Sequence, residues 1–143
     1  MQVIRALFLG LFCFSSFSAF SATPNLPVNP LELRLDRQLK SWQKRLGLEE
    51  WNLSVRVVRQ SEIDRNTWGQ AEWDPDAKTG VISVLDPRDY NLKGGELRLD
   101  MECTIVHELI HIQVSPLVSP DVHGLEDVVN RLMGAVMNRP CPN

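Results

Sequence analysis

The segment TIVHELIHIQV, residues 104–114, contains two of the three histidines of the chain. His107 and His111 enclose Glu108 in the pattern H-E-x-x-H. On a helix, residues four apart share one face and lie about 6 Å apart along the axis. The segment also supplies apolar side chains for a buried face, at Ile105, Val106, Leu109 and Ile110. The pattern therefore predicts a partly buried helix that carries two imidazoles on one face.

Two imidazoles in this arrangement can both bind a zinc ion, each through one ring nitrogen at roughly 2.0–2.1 Å. Glu108 is turned about 100° from His107, so its carboxylate can reach a water at the metal without becoming a ligand. The pattern is typical of metallopeptidases, in which zinc polarises the scissile carbonyl and the glutamate is the general base. The alternative is a solvated helix face that binds no metal. We favour the zinc site, because the pattern is rare by chance in a chain of this length.

A catalytic zinc needs a third protein ligand, and three residues downstream are candidates. We favour Glu126, because a short helix–loop–helix would return its carboxylate to the metal. Asp127 is its neighbour on a different face, and acids are in any case common in the first helical turn. His123 is an alternative ligand or a hydrogen-bond donor to the oxyanion of the reaction, or simply an exposed loop histidine. Asn130, one turn after Glu126, is a possible hydrogen-bond partner of it.

The N-terminus has the layout of a secretory signal peptide. Arg5 precedes an uncharged apolar run, residues 6–20, and small residues follow. This run is shorter than the roughly 20 residues that a membrane-spanning helix needs, although a membrane anchor is the alternative. We therefore expect cleavage after about residue 22 and a secreted or periplasmic protein with no membrane attachment once the signal is removed.

Export would leave two cysteines, Cys103 and Cys141, in an oxidising compartment. We expect a disulfide between them that ties the C-terminal tail to the histidine-bearing helix. The alternative is that Cys103, four residues before His107, is a metal ligand. His111 would then be about 12 Å away along the helix, too far for a metal that both histidines bind.

The rest of the chain predicts one α+β domain over residues 30–143, after a linker at residues 23–29. A helix is expected over about 30–46, followed by three strands in WNLSVRVV, TWGQAEWD and GVISVLD that form an antiparallel meander. A second helix from about residue 95 carries the histidines. The last helix, about residues 124–138, is expected to bury Leu125, Val128, Val129, Leu132 and Val136.

The segment TIVHELIH, followed by GLEDVVNRLMGAV at residues 124–136, resembles the zincin metallopeptidases, specifically the small gluzincin type. These proteins share a helix, a short antiparallel sheet, an active-site helix and a glutamate-bearing helix, the order expected here. The resemblance implies that His107, His111 and Glu126 bind one Zn²⁺ per chain and that Glu108 is the general base. Metzincins match less well, because their downstream glycine and third histidine are missing.

In zincins an edge strand beside the active-site helix commonly holds the substrate in extended form. We expect the strand GVISVLD, residues 80–86, to take that place. Trp68 and Trp73 are candidates to line the cleft, although strand tryptophans usually pack in a core. Tyr90 is expected to be an exposed loop residue, with oxyanion stabilisation as the alternative.

The expected activity is therefore hydrolysis of a peptide or protein substrate by an exported, monomeric zinc peptidase. The formal net charge of −3 and the lack of a basic run argue against nucleic-acid binding. A second hypothesis is a non-catalytic exported zinc-binding or interaction domain, which a closed site of His107, His111, His123 and Glu126 would favour. A third is a hydrolase of cell-wall peptides.

Overall fold

The first helix begins where Asn29 caps it. The Asn29 side chain accepts a hydrogen bond from the Leu31 backbone N–H at 3.0 Å, and Pro30 occupies the first turn. Both features are typical of a helix start. The computed structural model describes residues 29–119 and 122–142. The signal peptide expected at residues 1–22 and most of the expected linker therefore lie outside the described residues.

The described chain is α+β, with three helices and a three-stranded sheet. Two short 3-10 turns, Gln60–Glu62 and Pro87–Asp89, follow the first and third strands. The helices and strands are α1 (Pro30–Arg45), β1 (Asn52–Val58), β2 (Gly69–Asp74), β3 (Thr79–Leu85), α2 (Gly94–Val114) and α3 (Leu125–Met137).

The sheet is mixed, so the predicted antiparallel meander is wrong. The strand order is β1-β3-β2, with β3 parallel to β1 and antiparallel to β2. The hairpin between β2 and β3 is tight, because the Asp74 carboxylate accepts hydrogen bonds from the N–H groups of Asp76 and Ala77. The connection from β1 to β2 is longer, and it places β2 at the edge of the sheet opposite β1, which leaves the position between them to β3. As a result β3 is the central strand, and the substrate-edge role expected for residues 80–86 is wrong.

Helix α2 lies at the centre of the fold and contacts α1, α3, β2 and β3. It is apolar around most of its circumference, which is typical of a helix buried on several sides. Its fully buried side chains are Met101, Ile105, Val106, Leu109 and Ile112. The two histidines therefore stand on a helix whose position is fixed by the core.

Helix α3 packs on α2 by a narrower stripe than expected. Its buried side chains are Val129, Met133 and Met137, which recur at intervals of four. Val128 and Leu132 were predicted to be buried, but they are 51% and 40% exposed. They lie on the neighbouring stripe, which turns away from α2 because α3 packs on one side only.

Strand β2 approaches α2 closely at Gly69. A Cβ atom added there would lie 2.4 Å from Thr104 Cγ2 and 2.6 Å from the Ser83 carbonyl oxygen. The Ser83 oxygen is backbone of β3, so the two strands would have to move apart, and Thr104 would have to rotate its side chain or move with α2. Glycine at this position therefore sets the distance between the edge strand and α2.

We predict that Gly69→Ala lowers the free energy of unfolding by about 1–3 kcal/mol, the usual cost of overpacking. Gly134→Ala is the matched control, because Gly134 lies in α3 with open space around its Cβ position. That change should stabilise the protein by up to about 1 kcal/mol through helix propensity. Urea unfolding of both variants measures the difference, and equal effects would contradict the close approach at Gly69.

Candidate metal centre and cleft

The two histidines of α2 face each other across one turn. Their Nε2 atoms are 3.1 Å apart, and the ring centroids are 4.8 Å apart. Burial and the neighbouring His111 lower the pKa of His107. Lowering that pKa favours the neutral imidazole, which is the form that binds a metal.

Helix α3 brings a carboxylate to the same point. Gly124, in the left-handed conformation with φ of 84°, precedes α3 and lets the chain turn back. Glu126 then lies in the first turn, with Oε2 at 3.2 Å from His107 Nε2 and Oε1 at 3.1 Å from His111 Nε2. His107, His111 and Glu126 therefore form a group that could hold a metal ion.

The spacing of these atoms suits zinc. Tetrahedral ligands at roughly 2.0–2.1 Å from zinc are about 3.3 Å from one another. The two Nε2 atoms here are 3.1 Å apart, and Glu126 places one oxygen 3.2 Å from His107 Nε2 and its other oxygen 3.1 Å from His111 Nε2. Two imidazoles and one carboxylate are also a donor set that catalytic zinc uses. Glu126 is 67% exposed, so one side of the group is open to solvent.

Glu108 lies beside this group and is not part of it. Its side chain is largely buried, with 9% of the residue exposed. Burial and, to a lesser extent, the charge of Glu126 raise the pKa of Glu108 to about 7, and the backbone N–H of Ala71 partly offsets the rise. A carboxyl with such a pKa is suited to accept and return a proton near neutral pH.

A cleft of about 510 Å³ runs along the same face of α2. Its walls are α2 with His107, Glu108 and His111, strand β2 on one side, and α3 with Glu126, Asn130 and Met133 on the other. Trp68 and Trp73 both line it, as considered from the sequence. The edge strand beside the cleft is β2, whereas we expected the strand of residues 80–86 in this place.

The remaining candidates from the sequence are placed in different ways. The Asn130 side chain lies close enough to His107 to raise its pKa, whereas the sequence suggested Glu126 as the partner of Asn130. His123 and Asp127 are exposed, and neither belongs to the group of described residues that could hold a metal. Both were considered as alternative ligands from the sequence, and the geometry favours Glu126.

A disulfide connects the two helices that carry the candidate ligands. Cys103 of α2, one turn before His107, is bonded to Cys141 beyond the end of α3, with an S–S distance of 2.07 Å. This is the pair expected from the sequence. The sulfur of Cys103 is therefore committed to the disulfide, and the alternative role of Cys103 as a metal ligand is not supported.

Asp100 was not among the residues predicted from the sequence. It lies on α2 seven residues before His107, the spacing of two helical turns, and lines the cleft. That spacing was visible in the sequence, but acids near the start of a helix are so common that it did not indicate a site. Tyr90, expected to be exposed, is buried and stacks on Trp68 with ring centroids 5.1 Å apart.

No protein-family model matches the chain, and neither the curated proteins nor the solved structures provide a significant match. Within the described residues, no helix has the length and apolar character needed to cross a membrane. Inferences about function therefore depend on the site itself.

We predict that Glu126→Ala weakens zinc binding by more than the roughly 10- to 100-fold that loss of an outer hydrogen-bond partner costs. The matched control is Asp127→Ala, which removes the exposed neighbouring acid and should leave zinc affinity unchanged. Competition with a chromogenic chelator measures both dissociation constants. If the Asp127 variant lost zinc and the Glu126 variant did not, Glu126 could not be the third ligand.

We predict that Cys103→Ala combined with Cys141→Ala lowers the free energy of unfolding by about 4 kcal/mol, because the bridge closes a long loop. Urea unfolding with and without reductant gives the control. Reductant should destabilise the native protein to about the level of the double variant and should not affect that variant. Insensitivity of the native protein to reductant would contradict the prediction.

Proposed function

We propose that this chain is an exported zinc-dependent metallopeptidase. The observation that carries the proposal is the group of two imidazoles and one carboxylate, whose ligand atoms all lie within 4.8 Å of one another, with the buried carboxylate of Glu108 beside it. This combination unites a metal-binding donor set with a base that is not a ligand. In a zincin-like peptidase the two have separate roles.

His107, His111 and Glu126 would hold the zinc. When bound, the zinc would polarise the scissile carbonyl and make an attacking water more acidic. Glu108 would accept the proton of that water and later donate it to the leaving amine. Its burial supports this role, because a carboxylate that is poorly solvated accepts a proton more readily than one in water.

Strand β2 is the candidate support for the substrate backbone. It is the edge strand beside α2, and no other strand of the described residues covers its outer side. An extended peptide could add to this edge through main-chain hydrogen bonds. The Ala71 N–H lies next to Glu108, so the strand edge and the general base are adjacent. Trp68 and Trp73 would flank the bound peptide.

Export is supported by the signal-like N-terminus and by the disulfide, which is stable mainly in oxidising compartments. The non-catalytic alternative is less favoured. A closed four-ligand site would favour it, and His123 lies outside the candidate group of described residues. An open side on the group is the arrangement that a catalytic metal needs.

We predict that Glu108→Gln retains stoichiometric zinc and loses about 10²- to 10⁴-fold in kcat, the usual contribution of a general base. The substrates are quenched fluorescent peptide libraries, together with cell-wall peptides. Glu96→Gln is the control, since Glu96 is an exposed acid of the same helix that lines no part of the cleft.

The outcomes separate the alternatives. Native protein that binds no zinc would refute the metal centre. Zinc binding without hydrolysis of any peptide would favour the non-catalytic domain. Equal activity in the Glu108 variant and the native protein would remove Glu108 from the mechanism.

A further inference from the structure

Asp100 carries a buried carboxyl group that the proposed chemistry does not use. The residue is 4% exposed, and neither its Oδ2 atom nor the neighbouring Tyr90 hydroxyl group has a hydrogen-bond partner among the described residues. Burial raises the pKa of Asp100, and the nearby Tyr90 hydroxyl partly offsets the rise. A buried polar group without a partner is costly, and one that borders a cavity is a natural place for a ligand group to bind.

The charges around the cleft point to a cationic ligand. Among the described residues that line it, three are acids, namely Asp100, Glu108 and Glu126, and none is lysine or arginine. A divalent metal at Glu126, with Glu108 beside it, would balance two of the three negative charges. The Asp100 carboxylate has no corresponding positive charge in the wall of the cleft.

The aromatic side chains near Asp100 suit the same kind of ligand. Tyr90 is close enough to Asp100 to alter its pKa, and it stacks on Trp68. Trp68 is 37% exposed and lines the cleft. An indole face attracts a cation within about 6 Å of its centre. A carboxylate and an exposed indole therefore border the same part of the cavity.

We propose that Asp100 is a specificity determinant that selects peptides carrying a lysine or arginine side chain close to the scissile bond; this rests on the proposed peptidase function. Asp100 lies on the same face of α2 as His107, about 10.5 Å from it along the helix axis. An extended peptide advances about 3.3 Å per residue. The cationic residue therefore lies within about three residues of the scissile bond.

The test measures binding and does not require turnover. Twelve-residue peptides carry lysine, methionine or glutamate at one position, which is moved over three residues on either side of the centre. Dissociation constants are measured by tryptophan fluorescence with the zinc-loaded, full-length Glu108→Gln protein. At one position we expect lysine to bind about 10- to 100-fold more tightly than methionine, as a hydrogen-bonded charge contributes, and glutamate most weakly.

Two further variants assign this preference. Asp100→Asn, in the same background, should reduce the ratio between lysine and methionine peptides to about one. Glu96→Gln is the matched control, because Glu96 is an exposed acid one turn earlier on α2, and it should retain the ratio. The preference should also persist at high ionic strength, since salt screens buried charge pairs much less than exposed ones.

Each outcome is decisive. Equal affinity for lysine and methionine at every position overturns the proposal without any need for the Asp100 variant, as does a preference that survives Asp100→Asn. If the peptides bind with the expected preference but the native protein hydrolyses none, the inference stands and the peptidase function fails. If native protein cleaves peptides without charge preference, the function stands and the inference fails.

Discussion

The burial of helix α2 is the constraint on which the rest of the structure depends. This helix is surrounded by α1, α3, β2 and β3, and its apolar residues form the centre of the core. Only one stripe, from Asp100 through Thr104 to His107 and His111, lines the cleft. The same packing that stabilises the domain therefore fixes the direction of both imidazoles, and rigid support of this kind is what a metal site requires.

The polar residues of α2 that line the cleft reduce the stability of the fold as well as creating a site. Glu108 and Asp100 are carboxyl groups in a poorly solvated environment, and burial raises the pKa of each. Neither has a salt bridge to lysine or arginine among the described residues. Asp86 and Asp89, in contrast, each have an arginine partner. Apolar residues at these two positions would fit the core better. Uncompensated acids of this kind are more easily understood as a consequence of function than of folding.

What could be predicted from the sequence depended on how local each feature is. The arrangement of His107, Glu108 and His111 follows from helix period alone, and the structure places them as expected. Strand alternation identified the three strands but not their neighbours, because alternation tells which face is buried and says nothing about pairing. The course of the chain between β1 and β2 decides that the sheet is mixed. Likewise, α3 has more apolar residues than the single face that packs on α2 can bury, so Val128 and Leu132 remain exposed.

Glu126 was predicted partly from local sequence and depends partly on how the helices pack. Its ligand role could be suggested because only ten residues separate α2 from α3, but its placement depends on how α3 packs. The antiparallel arrangement is held at one end of α3 by the disulfide to Cys103. A metal at His107, His111 and Glu126 would hold the other end. Each cross-link restricts the freedom of α3 relative to α2, and each therefore reduces the entropy lost when the other forms. Metal affinity and the disulfide are then energetically coupled through one short helix, although they share no atom.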